Sequence, residues 1–109
     1  MRIEVKTSFV TDDGEVCLCK GLSELLGYLE ETGSVSKAAE RMGLSLSKAW
    51  KLLDGAEKAS GLVLINRQQG GKGGGRTELT ENARELLRLY NEKTELLKAY
   101  AVSIGGDLP

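Results

Sequence analysis

Histidine is absent from the 109-residue sequence, and cysteine occurs only at Cys17 and Cys19. A metal site would need more ligands than these two cysteines supply. For nucleophilic catalysis, the sequence offers no histidine as a base and no recognisable base beside a cysteine. A disulfide between residues so close on a predicted strand would be strained. We interpret the two cysteines as small buried apolar residues, with a metal or thiol sensor as the alternative, and predict no enzyme activity and no cofactor.

Aromatic residues and long apolar runs are also scarce. Aromatics make up 5% of the chain, and the longest aliphatic run, Leu-Val-Leu-Ile at 62–65, is far too short to span a bilayer. The first ten residues lack the apolar core of a signal peptide. We therefore expect a cytoplasmic protein without a membrane partner, built as one domain or as one domain with an added arm.

Charge is distributed unevenly along the chain, although the total is only −1. Residues 33–76 contain eight basic and three acidic residues, a net charge of +5. Residues 1–32 carry −4 and residues 77–109 carry −2. The charge distribution is a better indicator of a phosphate-facing surface than the total charge. A basic middle between acidic ends indicates such a surface.

Residue spacing predicts a mainly α protein with a small β-hairpin. Residues 1–19 have the alternating residue pattern of an N-terminal strand or hairpin, with an Asp-Gly turn. Leucines at helical spacing predict a helix over about 21–32. Residues 20–80 form the predicted winged helix-turn-helix. Residues 81–109 form a long C-terminal helix, capped by Thr80, with a frayed tail at 103–109.

The helix-turn-helix prediction rests on residues 34–60. Ser34 or Ser36 can cap a short helix that Gly43 ends, and Ser45 can cap a longer one. The short helix carries alanines, which allow two helices to cross closely. The longer helix has an apolar stripe: Leu46, Ala49, Trp50, Leu53 and Ala56.

The glycine-rich stretch from Arg67 to Arg76 does not fit a nucleotide-binding loop. In a Walker A loop the lysine is followed by Ser or Thr, but here Gly73 follows Lys72. The glycines also do not have the spacing of the dinucleotide-binding fingerprint. Both kinds of nucleotide-binding loop are followed directly by a helix, whereas a short strand is predicted after this stretch. We interpret the stretch as the tip of a wing, with an incidental charged surface loop as the alternative.

Two runs carry a family resemblance: Glu-Thr-Gly-Ser-Val-Ser-Lys-Ala-Ala-Glu-Arg-Met-Gly-Leu-Ser-Leu-Ser-Lys-Ala-Trp at 31–50 and Ile-Asn-Arg-Gln-Gln-Gly-Gly-Lys-Gly-Gly-Gly-Arg-Thr-Glu-Leu-Thr-Glu-Asn-Ala-Arg-Glu-Leu-Leu at 65–87. They resemble the N-terminal winged helix-turn-helix of the molybdate-responsive transcriptional regulators called ModE and, more distantly, that of LysR-type regulators. The match covers about residues 22–89. Full-length members carry C-terminal molybdate-binding repeats, and this sequence ends at Pro109, so we expect a chain without that domain.

The resemblance implies a sequence-specific DNA-binding transcriptional regulator that binds double-stranded DNA, expected to be a homodimer; any separate effector-sensing partner is unknown. Candidate DNA-binding residues are Ser34, Ser36, Lys37, Ser45, Ser47, Lys48, Lys51, Arg67, Lys72 and Arg76. Candidate dimer-interface residues are Leu22, Leu26, Leu87, Tyr90 and Leu97. The alternative is a winged-helix module that binds protein and has lost DNA binding.

Overall fold

A computed structural model describes residues 1–67 and 76–109, and the predicted wing residues 68–75, Lys72 among them, lie outside the described residues. Two antiparallel hairpins and four helices follow one another: β1 (Ser8–Val10), β2 (Val16–Cys19), α1 (Lys20–Thr32), α2 (Val35–Met42), α3 (Leu46–Ser60), β3 (Ile65–Arg67), β4 (Thr77–Leu79) and α4 (Glu81–Ile104). This order is that of a winged helix-turn-helix, so the predicted fold class is confirmed.

The leucines of α1 form the centre of the core. Leu25, Leu26 and Leu29 are fully buried, because their spacing along the helix turns all three toward the other elements. The remaining fully buried large side chains come from the strands, α3 and the residue before β3: Leu18, Leu53, Leu64, Ile65 and Leu79. Truncation of one such leucine to alanine typically lowers the free energy of unfolding by about 2–5 kcal/mol.

Three residues that we predicted in a dimer interface belong to the core of the single chain. Leu22, Leu26 and Tyr90 are 5%, 0% and 4% exposed, so they are not available to a second subunit, and this part of the prediction is wrong. Helical spacing indicated an apolar neighbour but did not identify it as another part of the same chain. Leu87 is half-buried against the same core, whereas Leu97 remains 47% exposed.

The N-terminal hairpin is anchored on α4. Within the strand or hairpin predicted at 1–19, the first paired strand is short, since only Ser8–Val10 pairs with β2. The alternation predicted from Ile3, Val5, Thr7 and Phe9 holds in part: Val5, Thr7 and Phe9 are half-buried between exposed neighbours, but Ile3 is 41% exposed. The Tyr90 hydroxyl donates a hydrogen bond to the Thr7 carbonyl oxygen at 2.9 Å, and its ring packs edge-on against Phe9. Tyr90 therefore fixes the hairpin to the helix.

The tail predicted to fray at 103–109 forms backbone hydrogen bonds and contacts the N-terminus in the structure. Its first two residues belong to α4, and the Leu108 amide donates a hydrogen bond to the Gly105 carbonyl oxygen. The Met1 ammonium group donates to the Pro109 oxygen at 2.6 Å. The glycine-rich tail sequence did not indicate this contact with the N-terminus.

Glu57 joins α3 to the second hairpin. Its Oε2 accepts hydrogen bonds from the Leu64 and Ile65 amides at 2.8 and 3.3 Å, and its Oε1 accepts one from Arg67 at 2.9 Å. Burial alone would raise the pKa of Glu57, but the bonds from Leu64, Arg67 and Ile65 outweigh it and hold the pKa below its ordinary value. An ionised carboxylate therefore holds β3 against α3.

We expect Glu57→Gln to lower the free energy of unfolding by about 1–3 kcal/mol at neutral pH, because the amide replaces a charged acceptor that receives three hydrogen bonds. The folded-state pKa is lowered, so the carboxylate stabilises the fold above the pKa of the unfolded chain. That contribution is lost as the pH falls through the folded-state pKa. The difference between parent and variant should therefore shrink below about pH 4.

Denaturant unfolding of both proteins at several pH values measures this difference. Asp54→Asn is the matched control, because its side chain is 60% exposed and its loss should change the free energy of unfolding by less than about 1 kcal/mol. A parent–variant difference that stays constant down to about pH 3 would contradict the assigned role of the Glu57 charge.

Candidate nucleic-acid interface

Two serine caps and one glycine build the junction between α2 and α3. The Ser34 hydroxyl oxygen accepts a hydrogen bond from the Lys37 amide, and that of Ser45 accepts one from the Lys48 amide. Gly43 ends α2 in the left-handed region, at φ 68°, which favours glycine. The predicted helix-turn-helix is confirmed, together with its three-residue turn and both caps.

Small side chains allow α2 and α3 to pack closely. Ala38 and Ala39 of α2 and Ala49 of α3 are at most 2% exposed, so the predicted alanine contact is part of the core. The distance between two packed helices depends on the side chains at their contact, and alanine permits the closest approach after glycine. This packing fixes the orientation of α3 in the domain.

The exposed face of α3 is basic. Ser47, Lys48, Lys51 and Lys58 are all exposed, on the side opposite the buried residues of the helix. None of the three lysines forms an ion pair with another residue in the described part of the chain. Their charges are therefore available to an anionic partner.

The first turn of α3 is more open than the sequence indicated. Leu46, which we placed in the apolar stripe, is 48% exposed, and Trp50 is only half-buried. Leu46 has the right spacing for the stripe but lies in the terminal turn, where all residues from 45 to 48 are exposed. The N-terminal end of α3 is thus accessible from several sides, as a helix entering a DNA groove must be.

The start of α2 lies beside the residue that follows the undescribed segment. Ser36 and Lys37 are exposed there. Arg76 packs over Gly33, where a Cβ atom would come within 2.7 Å of the arginine Cγ, and the Thr77 amide donates to the Gly33 carbonyl oxygen at 2.9 Å. Arg76 therefore lies against Gly33 at the α1–α2 junction, three residues before Ser36.

Arg67 has partners that the sequence did not predict. Its Nη2 donates to Asp54 Oδ1 at 2.8 Å and to Glu57 Oε1 at 2.9 Å, and its guanidinium lies 5.4 Å from the centroid of the Trp50 ring. All three partners lie on α3. Sequence reasoning missed this cluster, since its members are separated by 10 to 17 residues and only their placement in the fold shows the contact.

A further apolar surface lies on the C-terminal half of α4. Five large apolar side chains are between 47% and 81% exposed: Leu96, Leu97, Tyr100, Val102 and Ile104. Only Leu97 was among the residues predicted for a dimer interface. The helix extends beyond the core, and the described part of the chain leaves these apolar side chains largely exposed.

Cys17 and Cys19 flank the fully buried Leu18 on β2 and are themselves half-buried, so the prediction that they are core residues is only partly met.

Within residues 1–67 and 76–109 no group of three or more potential metal-ligating His, Cys, Asp or Glu side chains is found. In the same ranges, no helix is both long and apolar enough to cross a membrane.

Comparison with known proteins identifies a family and several similar proteins. Residues 24–84 match the family described as "Bacterial regulatory helix-turn-helix protein, lysR family". The chain is 44% identical over 68 residues to "Molybdenum transport protein ModE" of Herbaspirillum seropedicae, covering 62% of this chain and 25% of that protein. It is 37% identical over 67 residues to "Transcriptional regulator ModE" of Yersinia pestis, covering 62% and 26%.

A third relative, "Molybdenum transport protein ModE" of Azotobacter vinelandii, is 33% identical over 89 residues, which is 82% of this chain and 33% of that protein. The matched part is thus between a quarter and a third of the length of these three relatives. The family match covers more than half of the chain and includes α2, the turn and α3. The chain therefore belongs to the bacterial regulatory helix-turn-helix proteins of the lysR family and has a ModE-like helix-turn-helix domain.

Proposed function

We propose that this chain is the DNA-binding part of a transcriptional regulator and that its partner is double-stranded DNA. The observation that carries the proposal is the exposed face of α3, where three lysines without an ion pair in the described residues lie on the second helix of a helix-turn-helix. A helix in this position enters the major groove and contacts base edges through its N-terminal residues. Relatives named transcriptional regulators support the same function, and none suggests an enzyme.

The roles divide between base edges and the phosphate backbone. Ser47, Lys48 and Lys51 are proposed to reach base edges or adjacent phosphates, because they lie on the first two turns of α3. Ser36 and Lys37 at the start of α2 are proposed to contact phosphate. The hydroxyl oxygens of Ser34 and Ser45 accept the capping hydrogen bonds, and the hydroxyl proton of each serine is proposed to donate to a phosphate oxygen.

The wing is proposed to add backbone contacts through Lys72 and Arg76. Arg76 is exposed and lies near the start of α2, which supports a shared phosphate site on that side. The prediction for Lys72 falls on a residue outside the described ranges. Contacts of this kind increase affinity and its dependence on salt but add little sequence preference.

Two copies are proposed to bind one operator. The exposed apolar residues on the C-terminal half of α4 support a two-fold contact there, and Leu97 is the predicted interface residue that remains available to it. In this arrangement residues 20–80 bind DNA, residues 1–19 anchor α4, and residues 81–109 join the subunits. Molybdate binding is not proposed, because the relatives named for molybdenum are matched over at most a third of their length.

We expect Lys48→Ala combined with Lys51→Ala to weaken DNA binding about 100-fold, since each lost groove contact typically costs about 1–3 kcal/mol. Fluorescence anisotropy with a labelled duplex measures the dissociation constant. Arg2→Ala combined with Lys6→Ala is the matched control, because it removes the same charge from exposed residues outside α3 and outside the proposed contact between the two copies. Equal affinity of the Lys48/Lys51 variant and the parent would contradict the assigned interface.

Titration into a random duplex pool at two salt concentrations, followed by sequencing of the bound fraction, tests the function itself. We expect an enriched palindrome whose half-sites are separated by about 10–10.5 base pairs or a multiple of that spacing. Salt-sensitive binding without enrichment would restrict the protein to backbone contacts. The absence of binding at low salt would favour a protein-interaction module.

A further inference from the structure

Arg67 contacts both of the acidic residues that α3 contains. The helix sequence, residues 46–60, has three lysines and two acids, Asp54 and Glu57. One guanidinium nitrogen of Arg67 lies 2.8 Å from the carboxylate of the first and 2.9 Å from that of the second. The ring of Trp50 covers the guanidinium from one side at 5.4 Å. Arg67 therefore binds α3 by two ion pairs and a cation–π contact.

Asp54 is the more exposed of the two acids, and it lies among the lysines that are proposed to bind DNA. Its side chain is 60% exposed, whereas that of Glu57 is 17% exposed and receives two backbone hydrogen bonds. On a helix, residues three and four positions apart are neighbours, so Asp54 is within reach of Lys51 and Lys58. Without another partner, the Asp54 carboxylate would pair with these lysines and repel phosphate.

We propose that Arg67 is a positioning residue that holds the Asp54 carboxylate in an ion pair, away from Lys51 and Lys58 on the exposed face of α3, and that it does not itself contact DNA phosphate. This inference rests on the proposed function. It replaces the direct phosphate contact that the sequence suggested for Arg67. The guanidinium is suited to this role, because it stays charged at all physiological pH values and can serve two carboxylates at once.

The two roles of Arg67 make opposite predictions for Asp54→Asn. If Arg67 masks Asp54, removal of the aspartate charge changes little while Arg67 is present and restores binding when Arg67 is absent. If Arg67 grips phosphate and Asp54 merely competes for it, removal of the aspartate strengthens binding only while Arg67 is present. The sign of the coupling between the two positions therefore distinguishes the roles.

The test is a double-mutant cycle of parent, Asp54→Asn, Arg67→Met and the double variant, titrated with one duplex recovered from the random pool at several salt concentrations. Methionine keeps an unbranched apolar side chain against Trp50 while removing the charge. We expect Arg67→Met to weaken binding about 10-fold, Asp54→Asn to change it less than about 2-fold, and the double variant to recover most of the loss.

The dependence of DNA affinity on salt concentration gives a second readout. If the role of Arg67 were purely structural, the double variant would not regain the salt dependence of the parent. We expect the slope of log K against log salt concentration to return to the parent value in the double variant. A lost phosphate contact would instead leave the slope lower by about 0.9 in both Arg67 variants. That result, or a double variant no tighter than Arg67→Met, would overturn the inference while leaving the proposed function intact.

Asp54→Asn alone keeps the inference falsifiable if Arg67→Met does not fold, because this variant leaves the Arg67–Glu57 ion pair in place. Tighter binding with a slope raised by about 0.9 would show that Arg67 had been released to phosphate and would overturn the inference. Failure of the parent to bind any duplex would overturn the proposed function and this inference with it.

Discussion

The Glu57 carboxylate connects α3 to the strand that leads into the predicted wing, and the proposed DNA-binding surface depends on this connection. One carboxylate oxygen accepts the Leu64 and Ile65 amides, and the other accepts Arg67. β3 thus lies at a fixed position relative to α3, and β4 pairs with β3 in register. The orientation of α3 is set independently by the alanine contact with α2, so two separate contacts hold the helix that is proposed to read DNA.

The local part of this structure could be predicted from sequence. The caps at Ser34, Ser45 and Thr80 and the helix stop at Gly43 are specified by residues within four positions of each other, and the structure contains all of them. The alanines at the α2–α3 contact could be predicted equally well, because a close helix crossing needs small side chains. Such features depend on the chemistry of neighbouring residues and need no knowledge of the tertiary fold.

The long-range part could not be predicted in the same way. Helical spacing showed that Leu22, Leu26 and Tyr90 face apolar surroundings, but the same spacing would serve a core or a subunit contact. Composition marked Arg67 as a basic residue beside a glycine-rich stretch, yet its partners lie 10 to 17 residues earlier in the chain. In both cases the decisive information is which elements the fold places side by side.

Trp50 is the single tryptophan of the chain, and it is half-buried on α3 beneath the Arg67 guanidinium. Indole emission depends on the polarity and the charges around the ring, so the protein contains a natural optical probe where α3 meets the second hairpin. The three tyrosines lie elsewhere, on α1 and α4. Selective excitation of tryptophan would therefore report on this junction without an added label, in the free protein and during titration with a partner.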